Sequence, residues 1–119
     1  MKILTATQHG YLDYLTVILF LAAPSVLGLT GMAGIFAYVL AIIHLTVTLL
    51  TDFPLSVYKL IPFEIHGWIE RVVGPVLILV SFVFVFTGAA SGFYVVMGIV
   101  IILVGLMTDY KQGGEATAH

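Results

Sequence analysis

Four long apolar stretches, separated by short polar or glycine-rich breaks, make up most of the chain. They run from about 11 to 29, 34 to 51, 67 to 86 and 92 to 109. Each has roughly the 20 mostly apolar residues that a helix needs to cross about 30 Å of hydrocarbon. Lipid satisfies no backbone N–H or C=O group, so segments of this kind must be helical. The glycine-bearing breaks at 30–33 and 87–91 are short enough to join neighbouring spans into tight hairpins. The pattern therefore predicts an all-α fold, a four-helix transmembrane bundle.

The break in the middle is different. Residues 54–65 include Pro54 and Pro62 and mix Leu55, Val57, Leu60, Ile61 and Phe63 with Ser56, Lys59 and Glu64. Such a segment is expected to lie along the membrane surface. Tyr58, Trp68 and Tyr110 fall at the interfacial level where belt aromatics gather.

Sliding the sequence by 57 residues aligns its halves without a gap, with 13 of 45 positions identical between 9–53 and 66–110. His9-Gly10-Tyr11-Leu12-Asp13 falls on His66-Gly67-Trp68-Ile69-Glu70, and Thr51-Asp52-Phe53 falls on Thr108-Asp109-Tyr110. Apolar bias matches Leu with Val, but it does not reproduce His-Gly and Thr-Asp at both ends. The chain reads as one domain of two tandem two-helix repeats, 9–53 and 66–110, with a disordered tail over 111–119. Because each unit crosses twice, both copies enter the membrane the same way, related by a pseudo-twofold axis along the membrane normal. Gly34, Ala41 and Thr48, and at equivalent positions Ser91, Gly98 and Gly105, recur every seven residues. These small-residue seams are expected to face the bundle interior.

Composition agrees with lipid. Of 119 residues 61% are hydrophobic and 8% charged, with a mean hydropathy of +1.20, too little charge for a soluble domain of this size. There is no Cys, which excludes disulfides and thiolate metal sites. A net charge of -2 without a basic run gives no sign of nucleic-acid binding. Lys2 ahead of an apolar segment has the outline of a signal peptide. That segment begins the chain at Met1 and has a counterpart later, so it is expected to be retained.

The charges then set orientation. Lys2, Lys59, Arg71 and Lys111 all fall near the N-terminus, the central link or the C-terminus, as do Asp13, Asp52, Glu64, Glu70, Asp109 and Glu115. The hairpin breaks carry none. By the positive-inside rule both termini are cytoplasmic, in a multi-pass protein of a bacterial inner membrane.

Candidate chemistry gathers at that charged end. His9 and His66 begin the odd spans, with Asp13 and Glu70 four residues on along the same helical faces, while Asp52 and Asp109 close the even spans. One reading is structural. Asp13 and Glu70 suit helix N-termini, whereas Asp52 and Asp109 sit at C-termini the dipole disfavours and take a neighbouring helix N-terminus, His9 or His66 as partner. A second is a metal site of His9, Asp13, Asp52, His66, Glu70 and Asp109, with nitrogen and oxygen donors suited to Zn, Mn or Fe. A third is b-type haem held by His9 and His66 as facing ligands. His44 stands apart within the second span, where an ionisable side chain suggests function. Its repeat counterpart is Ile101, and its depth matches Thr16 and the Gly74-Pro75 step. It is expected to bond Thr16 or the Arg71 carbonyl freed by Pro75, and a ligand or proton-relay role stands beside that.

The chain resembles the small bacterial SPW-repeat membrane proteins, whose unit is a pair of spans with Ser-Pro-Trp near the end of the first. Ala23-Pro24-Ser25 stands there in the first copy and Val80-Ser81-Phe82 in the second, so the proline is kept once and the tryptophan in neither. The resemblance implies architecture and no activity. No nucleophile triad, P-loop or dinucleotide turn is present. The leading expectation is a non-enzymatic membrane protein without a cofactor, acting through helix–helix contacts as an accessory subunit or homo-oligomer. The alternatives are a metal- or haem-binding redox protein and a small carrier or proton relay using His44.

Overall fold

The computed structural model describes residues 2–110, so the tail expected at 111–119 lies outside the described residues. Its four helices are α1 (Ala6–Val26), α2 (Gly31–Leu50), α3 (Phe63–Val83) and α4 (Gly88–Met107). Each is long and apolar enough to cross a membrane, as a multi-pass protein requires. Many large apolar side chains, Ile42, Val72, Phe82 and Leu103 among them, stand exposed on the helix faces. That suits lipid and would be costly in water.

The helices begin three to five residues before the apolar density rises. Thr5 explains the first start, because it caps α1 through a reciprocal pair: its hydroxyl accepts from the Gln8 N–H at 3.2 Å, and its own N–H donates to Gln8 Oε1 at 3.0 Å. Pro62 precedes α3, where its missing N–H costs nothing.

The helices form two antiparallel hairpins, α1–α2 and α3–α4. Their core draws on all four helices: Phe20 and Ala23, Ala33, Ala37 and Ala41, Leu77, and Tyr94, Met97 and Ile101. Small side chains on α2 let the larger ones of α4 approach, and the Tyr94 hydroxyl donates to the Ala33 carbonyl at 2.6 Å across the hairpins. The small-residue seams do face inward, with Gly34, Ala41, Thr48, Gly98 and Gly105 buried and Ser91 half-buried.

At the charged end the hairpins exchange their chain ends. Thr51 and Asp52, just after α2, pair in parallel with Ile61 and Pro62 just before α3. Thr108, just after α4, pairs in parallel with Leu4 just before α1, through Leu4 N–H to Met107 O at 2.8 Å and Asp109 N–H to Leu4 O at 3.0 Å. Thr51 and Thr108 are 57 residues apart, and so are Leu4 and Ile61.

The central link folds back on this end. Val57 and Tyr58 donate backbone N–H groups to Leu49 O, the Lys59 ammonium donates to Phe53 O at 2.6 Å, and the Tyr14 hydroxyl holds Leu55 O at 2.8 Å. Phe53 packs on Gly10 so closely that a Cβ there would overlap its ring, and a Cβ at Gly67 would lie 2.8 Å from the Tyr110 ring. The repeated His-Gly is thus half chemistry and half clearance.

A histidine and carboxylate centre between the hairpins

One to two turns into α1 and α3, four side chains meet in the space between the hairpins. His9 and His66 are fully buried, and Asp13 and Glu70 nearly so. His9 Nε2 lies 3.2 Å from Asp13 Oδ1 and 3.2 Å from Glu70 Oε2. His66 Nε2 lies 3.1 Å from Asp13 Oδ2 and 2.8 Å from Glu70 Oε1. Each imidazole therefore touches the carboxylate of its own helix, four residues on, and that of the other hairpin. Donor atoms from all four residues fall within 4.8 Å of one another.

The far nitrogens decide the chemistry. His9 Nδ1 is 2.7 Å from Thr108 Oγ1, and His66 Nδ1 is 2.7 Å from Thr51 Oγ1. Both threonine hydroxyls spend their protons on the helix behind them, Thr108 on Val104 O and Thr51 on Val47 O, at 2.6 Å each. Each Oγ1 can then only accept, so both Nδ1 atoms carry a proton and donate it. In a neutral imidazole this leaves the Nε2 lone pair pointing at carboxylate oxygens. Lone pairs facing one another at about 3 Å repel unless a cation sits among them. Two carboxylates are balanced either by a proton on each Nε2 or by one divalent metal ion. Unbalanced, two buried carboxylates would cost several kcal/mol each.

Two carboxylate oxygens, Asp13 Oδ2 and Glu70 Oε2, are buried without a hydrogen bond of acceptable geometry. Both face the space among the four residues. Four donors about 2.1 Å from a common ion lie about 3.4 Å apart in a tetrahedron, so the widest pairs of this set would draw in by roughly an ångström to close on one. A haem between the histidines would need its macrocycle where Asp13 and Glu70 stand.

The centre is sealed from the charged surface by aromatic rings. Phe63 and Tyr110 meet the His9 ring edge-on or nearly so at 5.4 and 5.5 Å between centroids, and Phe53 stacks on Phe63 at 5.7 Å. Tyr110, just beyond α4, is 7% exposed, and burial together with the charges of Glu70 and Asp13 pushes its hydroxyl well above the usual phenol range. Toward the membrane interior two crevices reach the centre. One lies between α2 and α3, with about 40 Å³ of room beside His66 and Glu70, and the other between α1 and α4, with about 270 Å³ beside Asp13 and Glu70.

The expected ring of two histidines and four carboxylates is thus smaller. His9, Asp13, His66 and Glu70 come together, whereas Asp52 and Asp109 lie at the strand pairs, half-buried and outside the group. Their neighbours Thr51 and Thr108 take the inward positions, both fully buried. The repeated Thr-Asp was the available signal, and its threonine is the half that reaches the centre. His44 Nε2 lies 3.4 Å from Asp13 Oδ1, not on the Arg71 carbonyl, and Thr16 donates to Leu12 O at 2.8 Å, not to His44.

No protein-family model, no curated protein and no solved structure matches the chain.

Proposed function

We propose that this chain is a small integral membrane protein whose hairpins close around a divalent transition-metal ion held by His9 Nε2, His66 Nε2 and the Asp13 and Glu70 carboxylates. The observation that carries this is the pair of buried imidazoles with Nδ1 protons committed to Thr51 and Thr108 and Nε2 atoms aimed at two buried carboxylates. Metal-bound histidines are oriented in this way by a second hydrogen bond on the far nitrogen. Two neutral imidazoles and two carboxylates suit Zn(II), Mn(II) or Fe(II), and with such an ion the set is electrically neutral.

The test is elemental analysis of protein purified from membranes in mild detergent. One equivalent of a divalent transition metal per chain is expected. It should be lost in the Asp13→Asn, Glu70→Gln double variant while the helical circular dichroism is retained. Native protein that carries no such metal, and takes up none after chelation and reloading, would refute the reading.

We read the hairpins as copies related by a pseudo-twofold axis along the membrane normal. Support comes from contacts that repeat at an offset of 57: His9 with Thr108 and His66 with Thr51, Leu4 with Thr108 and Ile61 with Thr51, Gly10 with Phe53 and Gly67 with Tyr110. Placement of the charged end, with both termini, on the cytoplasmic side of a bacterial inner membrane rests on the positive-inside rule. The likeness to SPW-repeat proteins rests on the two-span unit. A second reading, an accessory subunit or homo-oligomer working through helix–helix contacts, draws on the exposed apolar helix faces. Co-purification with a larger complex, or self-association in crosslinking, would support it.

A further inference from the structure

The two crevices beside the centre occupy equivalent places in the repeat, and His44 and Ile101 line both. Leu40, Ile43 and Val47 line only the one between α2 and α3, while Met97, Val100 and Val104 line only the one between α1 and α4. Position for position these are counterparts 57 residues apart, and they are apolar throughout except that His44 answers Ile101. A third imidazole beside a centre that two suffice to build needs its own explanation.

His44 is not a member of the four-donor group. Its Nε2 approaches Asp13 Oδ1 at 3.4 Å, beyond a good N–H···O distance, and makes no hydrogen bond among the described residues although the atom is buried. A buried, unsatisfied donor costs about 1–3 kcal/mol. The α2–α3 crevice is lined by His44 and by His66 and Glu70, members of the centre. Its room of about 40 Å³ exceeds the roughly 10–15 Å³ that one water needs, and the remaining walls offer few polar groups. A guest of two or three atoms placed there would sit beside His44, His66 and Glu70.

We infer that the metal centre keeps an exchangeable position on its His44 side, where one small anion or water binds the ion and accepts a hydrogen bond from His44 Nε2–H. The inference rests on the metal reading above. A structural site is closed by its protein donors, whereas a reactive one keeps a position for an outside ligand. Mn(II), Fe(II) and Co(II) accept donors beyond four, so the four protein ligands leave such a position.

Cobalt(II)-loaded protein in detergent, titrated with azide and followed by its visible d–d absorption, tests this. The unaltered chain should bind one Co(II) and shift its spectrum saturably with azide. His44→Ala, which leaves room but no donor, should keep the Co(II) and weaken azide by about tenfold or more, the worth of a hydrogen bond to a charged group. His44→Gln should recover much of that affinity. The inference is overturned if azide leaves the Co(II) spectrum of the unaltered chain unchanged, or if His44→Ala binds azide equally well. It is overturned too if His44→Ala loses Co(II), since His44 would then hold the ion itself. Failure of the unaltered chain to bind Co(II) or any other divalent ion sinks the metal reading as well, which separates the two.

Discussion

The Nδ1 atom of His9 lies 2.7 Å from the hydroxyl of Thr108, 99 positions further along the chain, and this one bond ties the start of the first helix to the end of the last. Its counterpart, His66 to Thr51, spans 15 positions, yet the geometry is the same at 2.7 Å. Each threonine passes its proton to its own helix and receives one from the imidazole. Tautomer and ring orientation are thereby set from outside the centre.

Removing that control should weaken metal binding without removing a metal donor. Thr51→Val and Thr108→Val keep the shape of the side chain and delete the acceptor. Each should lower divalent-metal affinity about 10–100-fold, the usual effect of losing such a support. Competition against a chelator of known affinity measures this, and Thr→Ser at the same positions should restore binding. Equal affinity in all variants would mean the threonines serve packing alone.

Val85 offers a stability prediction of opposite sign. It follows α3 with φ +54°, and its repeat counterpart is Gly28, with φ +65°. A β-branched side chain in the left-handed region is strained by roughly 1–2 kcal/mol, and a glycine is not. Val85 is also exposed, so the side chain contributes little burial. Val85→Gly should raise stability by about 1 kcal/mol, with the gain reduced by the added freedom of the unfolded chain. Reversible unfolding in mixed micelles would detect this as a later midpoint, and an earlier one would contradict it.

Tyr110 should make the fold sensitive to alkali. Its hydroxyl is held protonated in the folded state because burial and the carboxylates of Glu70 and Asp13 raise its pKa above the ordinary value. A group raised in this way contributes stability that is fully present below its unfolded pKa, about 10 for tyrosine. The contribution is lost progressively as pH rises beyond that point, because the unfolded chain then releases a proton that the folded one keeps. Tyr110→Phe puts the residue of the other copy, Phe53, into the same place against Gly67. Comparing unfolding midpoints at pH 8 and pH 11, the original chain should lose more than the variant; equal losses would place the alkaline sensitivity elsewhere.

The four spans were legible because lipid imposes length and apolarity together, and no soluble segment mimics both. Their ends were less so. The apolar density of the first rises near residue 11, although Thr5-x-x-Gln8, a recognisable capping pair, marks the start at Ala6. Hydropathy marks the apolar body of a span and is silent on its capped, more polar first turn. In the centre, the repeat picked out His9, Asp13, His66 and Glu70, because four-residue spacing puts each pair on one helical face. It also picked Asp52 and Asp109, and here spacing misled: neighbouring residues point in very different directions, and Thr51 and Thr108 turn inward. His44 was recognisable as odd, but its approach to Asp13 on another helix depends on how α1 and α2 pack. Nothing local in the sequence encodes that.

The exchange of chain ends at the charged surface carries a consequence for what counts as a whole. Leu4 is completed by Thr108, and Ile61 by Thr51, so each half supplies what the other lacks. Cut at the central link, the chain would not yield two finished domains; it would yield two fragments that fit each other. By the same logic a single half, given a second copy of itself, already holds most of the parts from which this molecule is assembled.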